Sequence, residues 1–167
     1  MKFVSIVAAF LVPMTAMAAV APISKKDHHE ANKPVHAMAS KKGQLYVKLN
    51  RATNLKDKDT FGKSDPFVEM WLEKGYKQRS KDTKGLNPVF NETFCFYVRS
   101  GQNKLYARAV DRDTFRNDKI GEASIPLDQV MNSGNVGPQD YDLPKWLGLR
   151  SNGKLNLQMQ FVEDTSA

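Results

Sequence analysis

The sequence KLNLQMQF at residues 154–161 alternates polar and apolar side chains without a break. Successive side chains of a β-strand point to opposite faces of the sheet, so a strict period of two predicts a strand with one buried and one solvated face. The same period recurs far upstream, where QLYVKLN covers residues 44–50. The two segments therefore predict half-buried strands at the two ends of one domain.

Three further segments with strand character lie between these two. They cover residues 67–72, 93–98 and 105–110, and turns rich in Gly, Pro, Asn and Asp separate them. Strands with one solvated face and frequent turn signals are typical of an antiparallel sandwich rather than of a parallel α/β sheet. A single helical turn is predicted, at residues 128–131. We therefore expect an all-β antiparallel sandwich.

Two of the turns concentrate acidic residues in a chain whose formal net charge is +7. DTFGKSDPF contains Asp59 and Asp65, and DRDTFRNDKIG contains Asp111, Asp113 and Asp118. Two carboxylates about 4 Å apart repel by about 4 kcal/mol at an effective dielectric constant near 20, so a cluster requires a cation or protons. Hard oxygen ligands without a soft ligand nearby favour calcium. We predict a Ca²⁺ site, although a solvated acidic turn is the alternative for any one aspartate.

The segments around these turns resemble the C2 domain family. The resemblance spans about residues 43–161 and is carried by the strings GQLYVKLNRATNL, DTFGKSDPFVEMWL, LNPVFNETFCFYV, LYARAVDRDTFRNDKIGEASIPL and GKLNLQMQF. It implies an eight-stranded antiparallel β-sandwich with Greek-key connections, in an order that resembles the type II circular permutation. It also implies that loops at one end of the sandwich bind calcium and then lipid headgroups.

The resemblance assigns a ligand position to each aspartate. Asp59 and Asp65 take the two positions of loop 1, Asp111 and Asp113 take the pair in loop 3, and Asp118 takes the last position. Compared with other C2 domains that it resembles, the stretch between Asp113 and Asp118 is one residue shorter. We therefore expect a first ion with a nearly complete shell and at most one further ion, which binds more weakly.

Aromatic and basic residues beside the acids indicate a membrane target. Phe61 and Phe115 stand at or near the positions where C2 domains place residues that enter a bilayer, and full burial of both side chains would contribute about 3–6 kcal/mol. Arg116 and Lys119 are predicted to meet anionic headgroups, each contributing about 1 kcal/mol near such a surface. The alternative for each phenylalanine is to fold back onto the rim of the sandwich.

A second basic group follows a predicted strand and consists of Lys77, Arg79, Lys81 and Lys84. In some C2 domains such a strand helps to bind phosphoinositide. Here Glu69 and Trp71 occupy positions on the neighbouring strand where a phosphoinositide pocket would require lysines. We therefore interpret this group as a solvated basic face or a diffuse anion patch.

The N-terminus predicts secretion. Met1 and Lys2 form a short basic segment, residues 3–12 are apolar, and Ala16-Met17-Ala18 is a small-x-small cleavage site. This pattern is typical of a secretory signal peptide. An uncleaved membrane anchor is the alternative, since about 20 apolar residues can span a bilayer.

The remaining chain is predicted to contain one folded domain. We expect the signal peptide at residues 1–18, a flexible basic linker at 19–42, the C2 domain at 43–163 and a short tail at 164–167. The linker prediction rests on its Lys, His, Asp, Pro and Ala content, which follows neither the helical nor the strand period.

The cysteine and histidine positions exclude several classes of function. Cys95 is the single cysteine, so the domain has no internal disulfide, and His28, His29 and His36 all fall in the predicted linker. The predicted domain therefore has no Ser-His or Cys-His catalytic pair and no histidine-based zinc motif. We do not expect an enzyme. We also do not expect a nucleic-acid partner, because base-stacking patterns are missing despite a sequence pI near 9.5.

Together these features predict a secreted protein that associates peripherally with anionic phospholipid membranes when calcium is bound. The alternative is a calcium-stabilised adhesion module that binds protein or glycan, in which the ion only makes the loops rigid. The two functions differ in one property, because only the first predicts lipid binding that a chelator reverses.

Overall fold

The computed structural model describes residues 41–58, 64–113, 116–145 and 151–165. The chain divides into two units, residues 1–33 and 34–167, and every described residue belongs to the second. The predicted signal peptide, the three histidines and the loop residues Asp59, Phe61 and Phe115 lie outside the described residues.

Eight strands form two four-stranded antiparallel sheets in the described part of the chain. They are β1 (Gly43–Thr53), β2 (Pro66–Trp71), β3 (Gln78–Arg79), β4 (Val89–Val98), β5 (Lys104–Asp111), β6 (Asp118–Pro126), β7 (Asn135–Pro144) and β8 (Ser151–Glu163), with helix α1 (Asp128–Ser133) between β6 and β7. The predicted eight-stranded antiparallel sandwich and its helical turn are therefore confirmed.

The first and last strands are neighbours in the middle of one sheet. Sheet A has the order β4-β1-β8-β7 and sheet B the order β3-β2-β5-β6. Gly43 at the start of β1 pairs with Glu163 at the end of β8. Because the two ends of the domain meet, a circular permutation changes the order of the strands along the chain and leaves the sandwich intact. This arrangement agrees with the predicted type II order.

The alternating strands bury one face between the two sheets. Leu45, Val47 and Leu49 of β1 are fully buried, as are Leu155 and Leu157 of β8. The residues between them in β1 point to the outer face of sheet A, as a period of two requires. The half-buried strands predicted at both ends of the domain are thus confirmed.

Strand β2 departs from this alternation because both of its faces are covered. Phe67 and Trp71 point away from the core, yet they are only 2% and 1% exposed. The guanidinium of Arg79 lies 3.7 Å from the ring centre of Phe67. Lys77 and Arg108 lie 4.9 and 5.0 Å from the ring centre of Trp71. These cations therefore shield two aromatic rings from water and contribute cation–π attraction.

Helix α1 is short and ends in a glycine cap. It buries Val130 and Met131, and the following Gly134 has a φ of 74°, a left-handed conformation that glycine adopts without strain. The N–H of Gly134 donates to the carbonyl oxygen of Val130 at 2.8 Å. Within the described residues, no helix is long and apolar enough to cross a membrane.

Candidate calcium site

Strand register brings three of the predicted ligands to one end of sheet B. Asp111, the last residue of β5, pairs with Pro66 at the start of β2 and with Asp118 at the start of β6. Asp65 directly precedes Pro66. Residues directly opposite each other in an antiparallel pair have Cβ atoms about 4.5–5.5 Å apart. Acids from two connections that are distant in sequence therefore meet at one edge.

Asp111 is the buried member of this group. Its side chain is 0% exposed, and its Oδ1 accepts a hydrogen bond from the backbone N–H of Asp65 at 2.9 Å. Its Oδ2 is also buried and has no hydrogen-bond partner in the part of the chain that the structure describes. Leaving a buried acceptor unsatisfied costs about 1–3 kcal/mol, and more if it is charged. A cation at Oδ2 would remove this cost, so Asp111 fits a calcium ligand.

Asp113 and Asp118 lie closer to solvent. Asp113 is half-buried, and its backbone N–H donates to the side-chain oxygen of Asn117 at 3.3 Å. Asp118 is exposed. Among the described residues, no three acidic, histidine or cysteine side chains form a complete metal-binding group. The predicted ligand Asp59 lies outside those residues, so the full ligand set remains a prediction.

Ser64 positions the first acidic loop, and sequence reasoning does not single it out. It is fully buried, and its hydroxyl donates to Asp57 Oδ1 at 3.1 Å and accepts from the N–H of Lys58 at 3.3 Å. Its carbonyl oxygen accepts from the N–H of Gly85 at 2.8 Å. These bonds hold the backbone directly before Asp65. The sequence feature that points to Ser64 is the string SDPF, in which this hydroxyl residue directly precedes the predicted ligand Asp65.

The two predicted headgroup contacts have different surroundings. Arg116 is exposed, whereas Lys119 lies 3.0 Å from a carboxylate oxygen of Glu122. Arg108 contacts the same oxygen at 2.8 Å. Burial alone would raise the pKa of Glu122, but the hydrogen bonds from Lys119 and Arg108 outweigh it and hold this pKa below its ordinary value. Lys119 is therefore partly neutralised, whereas Arg116 forms no ion pair with an acidic residue in the described part of the chain.

The lowered pKa of Glu122 predicts a pH dependence of stability. Ionised Glu122 stabilises the fold above its unfolded-state pKa of about 4.3, and this contribution disappears as the pH falls through the lower folded-state value. We expect Glu122→Gln to reduce the free energy of unfolding at about pH 7, with a smaller reduction at about pH 3. Urea denaturation at both pH values measures the difference. Glu73→Gln is the matched control, because Glu73 is an exposed partner of Arg99; equal pH profiles for the two variants would contradict the prediction.

The second basic group is only partly available to an anion. The Lys77 amino group lies 3.0 Å from a carboxylate oxygen of Glu69, and Arg79 pairs with Asp82. Both cations also cover aromatic rings, as described above. The predicted anion patch is thereby reduced to the members that are exposed and form no ion pair within the described residues, Lys81 and Lys84.

Comparison with known proteins decides the family. The sequence profile of the C2 domain family matches residues 43–143, which include both acidic connections and seven of the eight described strands up to Leu143 in β7. The chain belongs to the C2 domain family. The prediction drawn from the motif strings is therefore confirmed.

This C2 domain is similar to proteins from animals and plants. It is 47% identical to human synaptotagmin-7 over 94 residues, which cover 52% of this chain and 23% of that protein. It is 31% identical over 90 residues to a calcium-dependent lipid-binding protein of Arabidopsis thaliana, covering 53% and 18% of the two chains. A calcium-bound structure of two C2 domains of extended-synaptotagmin 2 matches with a TM-score of 0.63 and 25% identity, covering 72% of this chain and 46% of that one. The matched region thus covers only about a quarter of human synaptotagmin-7 and a smaller share of the plant protein.

Proposed function

We propose that this C2 domain binds anionic phospholipid membranes in a calcium-dependent manner, through the end of the sandwich where Asp65, Asp111 and Asp118 meet. The observation that carries the proposal is the carboxylate of Asp111. One of its oxygens is held by the backbone of Asp65, and the other is buried without a hydrogen-bond partner among the described residues. The calcium-bound structure of extended-synaptotagmin 2 supports the ion, and the plant calcium-dependent lipid-binding protein supports its pairing with lipid.

Asp111 and Asp65 form the fixed part of the proposed ion site. Their separation is set by the hydrogen bond between Asp111 Oδ1 and the Asp65 N–H at 2.9 Å. Asp59 and Asp113 are proposed to complete the first shell, and Asp118 to serve a second, weaker ion. The positive charge of bound calcium compensates the carboxylates. The ion also coordinates oxygens of the lipid headgroup. Membrane affinity and calcium affinity therefore rise together, by linkage.

The residues around the acids supply the contacts with the bilayer. Phe61 and Phe115 are proposed to enter the interface, while Arg116 and Lys119 meet anionic headgroups. We also propose that the protein is secreted. A typical extracellular calcium module has a dissociation constant of about 10⁻⁴–10⁻³ M, so in a millimolar calcium medium the site is substantially filled at all times. The domain then acts as a constitutive membrane adhesive rather than as a calcium switch.

Vesicle sedimentation tests the proposal. Phosphatidylcholine vesicles with and without phosphatidylserine are mixed with the protein in calcium or in chelator. We expect binding only when phosphatidylserine and calcium are both present, because the ion bridges protein and lipid oxygens, and we expect chelator to reverse it. Calcium that raises the unfolding temperature without any vesicle binding would instead support the calcium-stabilised adhesion module.

A further inference from the structure

A cleft lined by four lysines adjoins the acidic loops. It has a volume of 490 Å³, and its basic walls are Lys56, Lys58, Lys119 and Lys145. Lys56 and Lys58 belong to the connection after β1, Lys119 to β6, and Lys145 to the connection after β7. No acidic side chain is among the described residues that line it.

Hydrogen bonds and close packing hold the floor of this lysine cleft. The backbone N–H of Lys56 donates to the carbonyl oxygen of Asn152 at 2.9 Å, and the side-chain amide of Asn152 donates to the carbonyl oxygen of Ile120 at 2.8 Å. A Cβ added to Gly121 would lie 2.8 Å from the Cβ of Leu143. These contacts join four segments, the connection after β1 and strands β6, β7 and β8, so the backbone at the floor of the cleft is positioned by the fold.

Most charges of the lysine cleft have no carboxylate partner among the described residues, unlike several cations on the outer face of sheet B. On the outer face of sheet B the cations are matched with carboxylates, as in the pairs of Lys77 with Glu69 and of Arg108 with Glu122. Lysines 56, 58 and 145 form no ion pair with any acidic side chain that the structure describes, and only Lys119 has a partner. A concave surface lined by one sign of charge concentrates ions of the opposite sign.

We propose that the lysine cleft binds the phosphate monoester of a membrane lipid headgroup, such as that of phosphatidic acid, beside the calcium loops. The inference rests on the proposed function, because it requires this end of the sandwich to face a bilayer. A phosphate monoester carries a charge of about −1.5 to −2 and offers three acceptor oxygens. Lysine ammonium groups donate up to three hydrogen bonds each and suit such a compact anion. The cleft therefore favours monoester lipids over phosphatidylserine, whose phosphate is a diester.

A charge-matched pair of variants tests this selectivity. The cleft variant carries Lys56→Gln, Lys58→Gln and Lys145→Gln. The control variant carries Lys48→Gln, Lys74→Gln and Lys104→Gln, which removes the same charge from exposed lysines outside the cleft. Both are sedimented in calcium with phosphatidylcholine vesicles that contain phosphatidic acid or phosphatidylserine at equal surface charge. Circular dichroism and calcium calorimetry without lipid establish that the fold and ion binding of both variants are intact. Lys145→Gln alone serves as a milder variant of the cleft.

The proposal requires a loss that depends on the lipid. We expect the cleft variant to bind phosphatidic acid vesicles at least about tenfold more weakly and phosphatidylserine vesicles less than about threefold more weakly. The control should lose affinity equally for both. Equal losses of the cleft variant on both vesicles, or a wild type without preference for phosphatidic acid, would overturn the proposal.

Two further arms separate this proposal from the function on which it rests. In chelator, wild-type protein should retain weak binding to phosphatidic acid vesicles at low salt, and the cleft variant should lose it. Absence of this residual binding overturns the cleft proposal, whereas failure on phosphatidylserine in calcium overturns the proposed function. Free glycerol 3-phosphate should compete only at concentrations at least about 100-fold above the lipid phosphate; competition at equal concentration would show that the ligand is a soluble phosphate and not a lipid.

Discussion

Asp111→Asn is expected to abolish measurable calcium binding while it increases the stability of the calcium-free domain. Asp111 is 0% exposed, and one of its oxygens has no partner among the described residues. Asparagine keeps the shape and the oxygen that accepts from the Asp65 N–H, but it removes the buried charge. Removing a buried, uncompensated charge stabilises a fold. The same charge is central to the ion site, so we expect calcium affinity to fall at least about 100-fold.

Calorimetry and thermal unfolding measure the two effects separately. Calcium at about 100 times its dissociation constant should stabilise the wild type by about 2.7 kcal/mol through mass action and should leave Asp111→Asn unchanged. Asp128→Asn makes the same chemical change in the first turn of α1, remote from the acidic loops, and should retain calcium binding. Calcium affinity within about threefold of wild type, or an unfolded variant, would show that Asp111 does not have this role.

Replacing Phe61 and Phe115 together with alanine is expected to weaken vesicle binding at least tenfold, which corresponds to about 1.4 kcal/mol. Full burial of both side chains in a bilayer would supply about 3–6 kcal/mol, so partial insertion suffices for this effect. Calcium affinity without lipid should stay nearly unchanged, because a phenylalanine supplies no ligand oxygen. Sedimentation with phosphatidylserine vesicles and calorimetry without lipid test the two statements.

Two exposed tyrosines provide the matched control for this double variant. Tyr46 and Tyr97 are 40% and 46% exposed on the outer face of sheet A, toward the end where Gly43 pairs with Val98. Tyr46→Ala with Tyr97→Ala removes two aromatic rings far from the acidic loops and should leave vesicle binding intact. Unchanged binding of the phenylalanine variant would mean that these side chains fold back onto the rim of the sandwich. Lost calcium binding without lipid would mean that they shape the ion site itself.

Regular burial explains which strands were predictable. β1 and β8 each pack one face against the core and direct the other outward, so their burial and their sequence share a period of two, with Asn156 of β8 as a buried exception on the outer face. β7 shows no such period, because only Val136 and Leu143 in it are buried. It also contains Gly137 and two prolines, which resemble a loop in sequence. Its strand conformation is imposed by pairing with β8.

The outer face of sheet B shows a second limit of sequence reasoning. The basic group that includes Lys77 and Arg79 is interpreted from sequence as a solvated face or an anion patch, yet these two side chains, together with Arg108, cover Phe67 and Trp71. Lysine and arginine suit this role because their long apolar stems pack over a ring. Their compact ammonium or planar guanidinium groups can then contact its face. Basic residues along a strand give the same sequence pattern in two situations. Their cations are either free to bind an anion or already in contact with an aromatic ring and a carboxylate.

The sequence by itself determined the class of fold, the family and the residues that carry charge of each sign. The alternation of polar and apolar residues specifies which segments form strands, because each side chain faces either the core or water. The motif strings of both acidic connections identify the C2 domain. Only the tertiary structure placed Asp111 beside Asp65 and opposite Asp118, and only it assembled the four lysines from three separate segments. The physical reason is that local periodicity specifies which face of a strand is buried, whereas the neighbours across a loop end depend on strand register and on packing between distant segments.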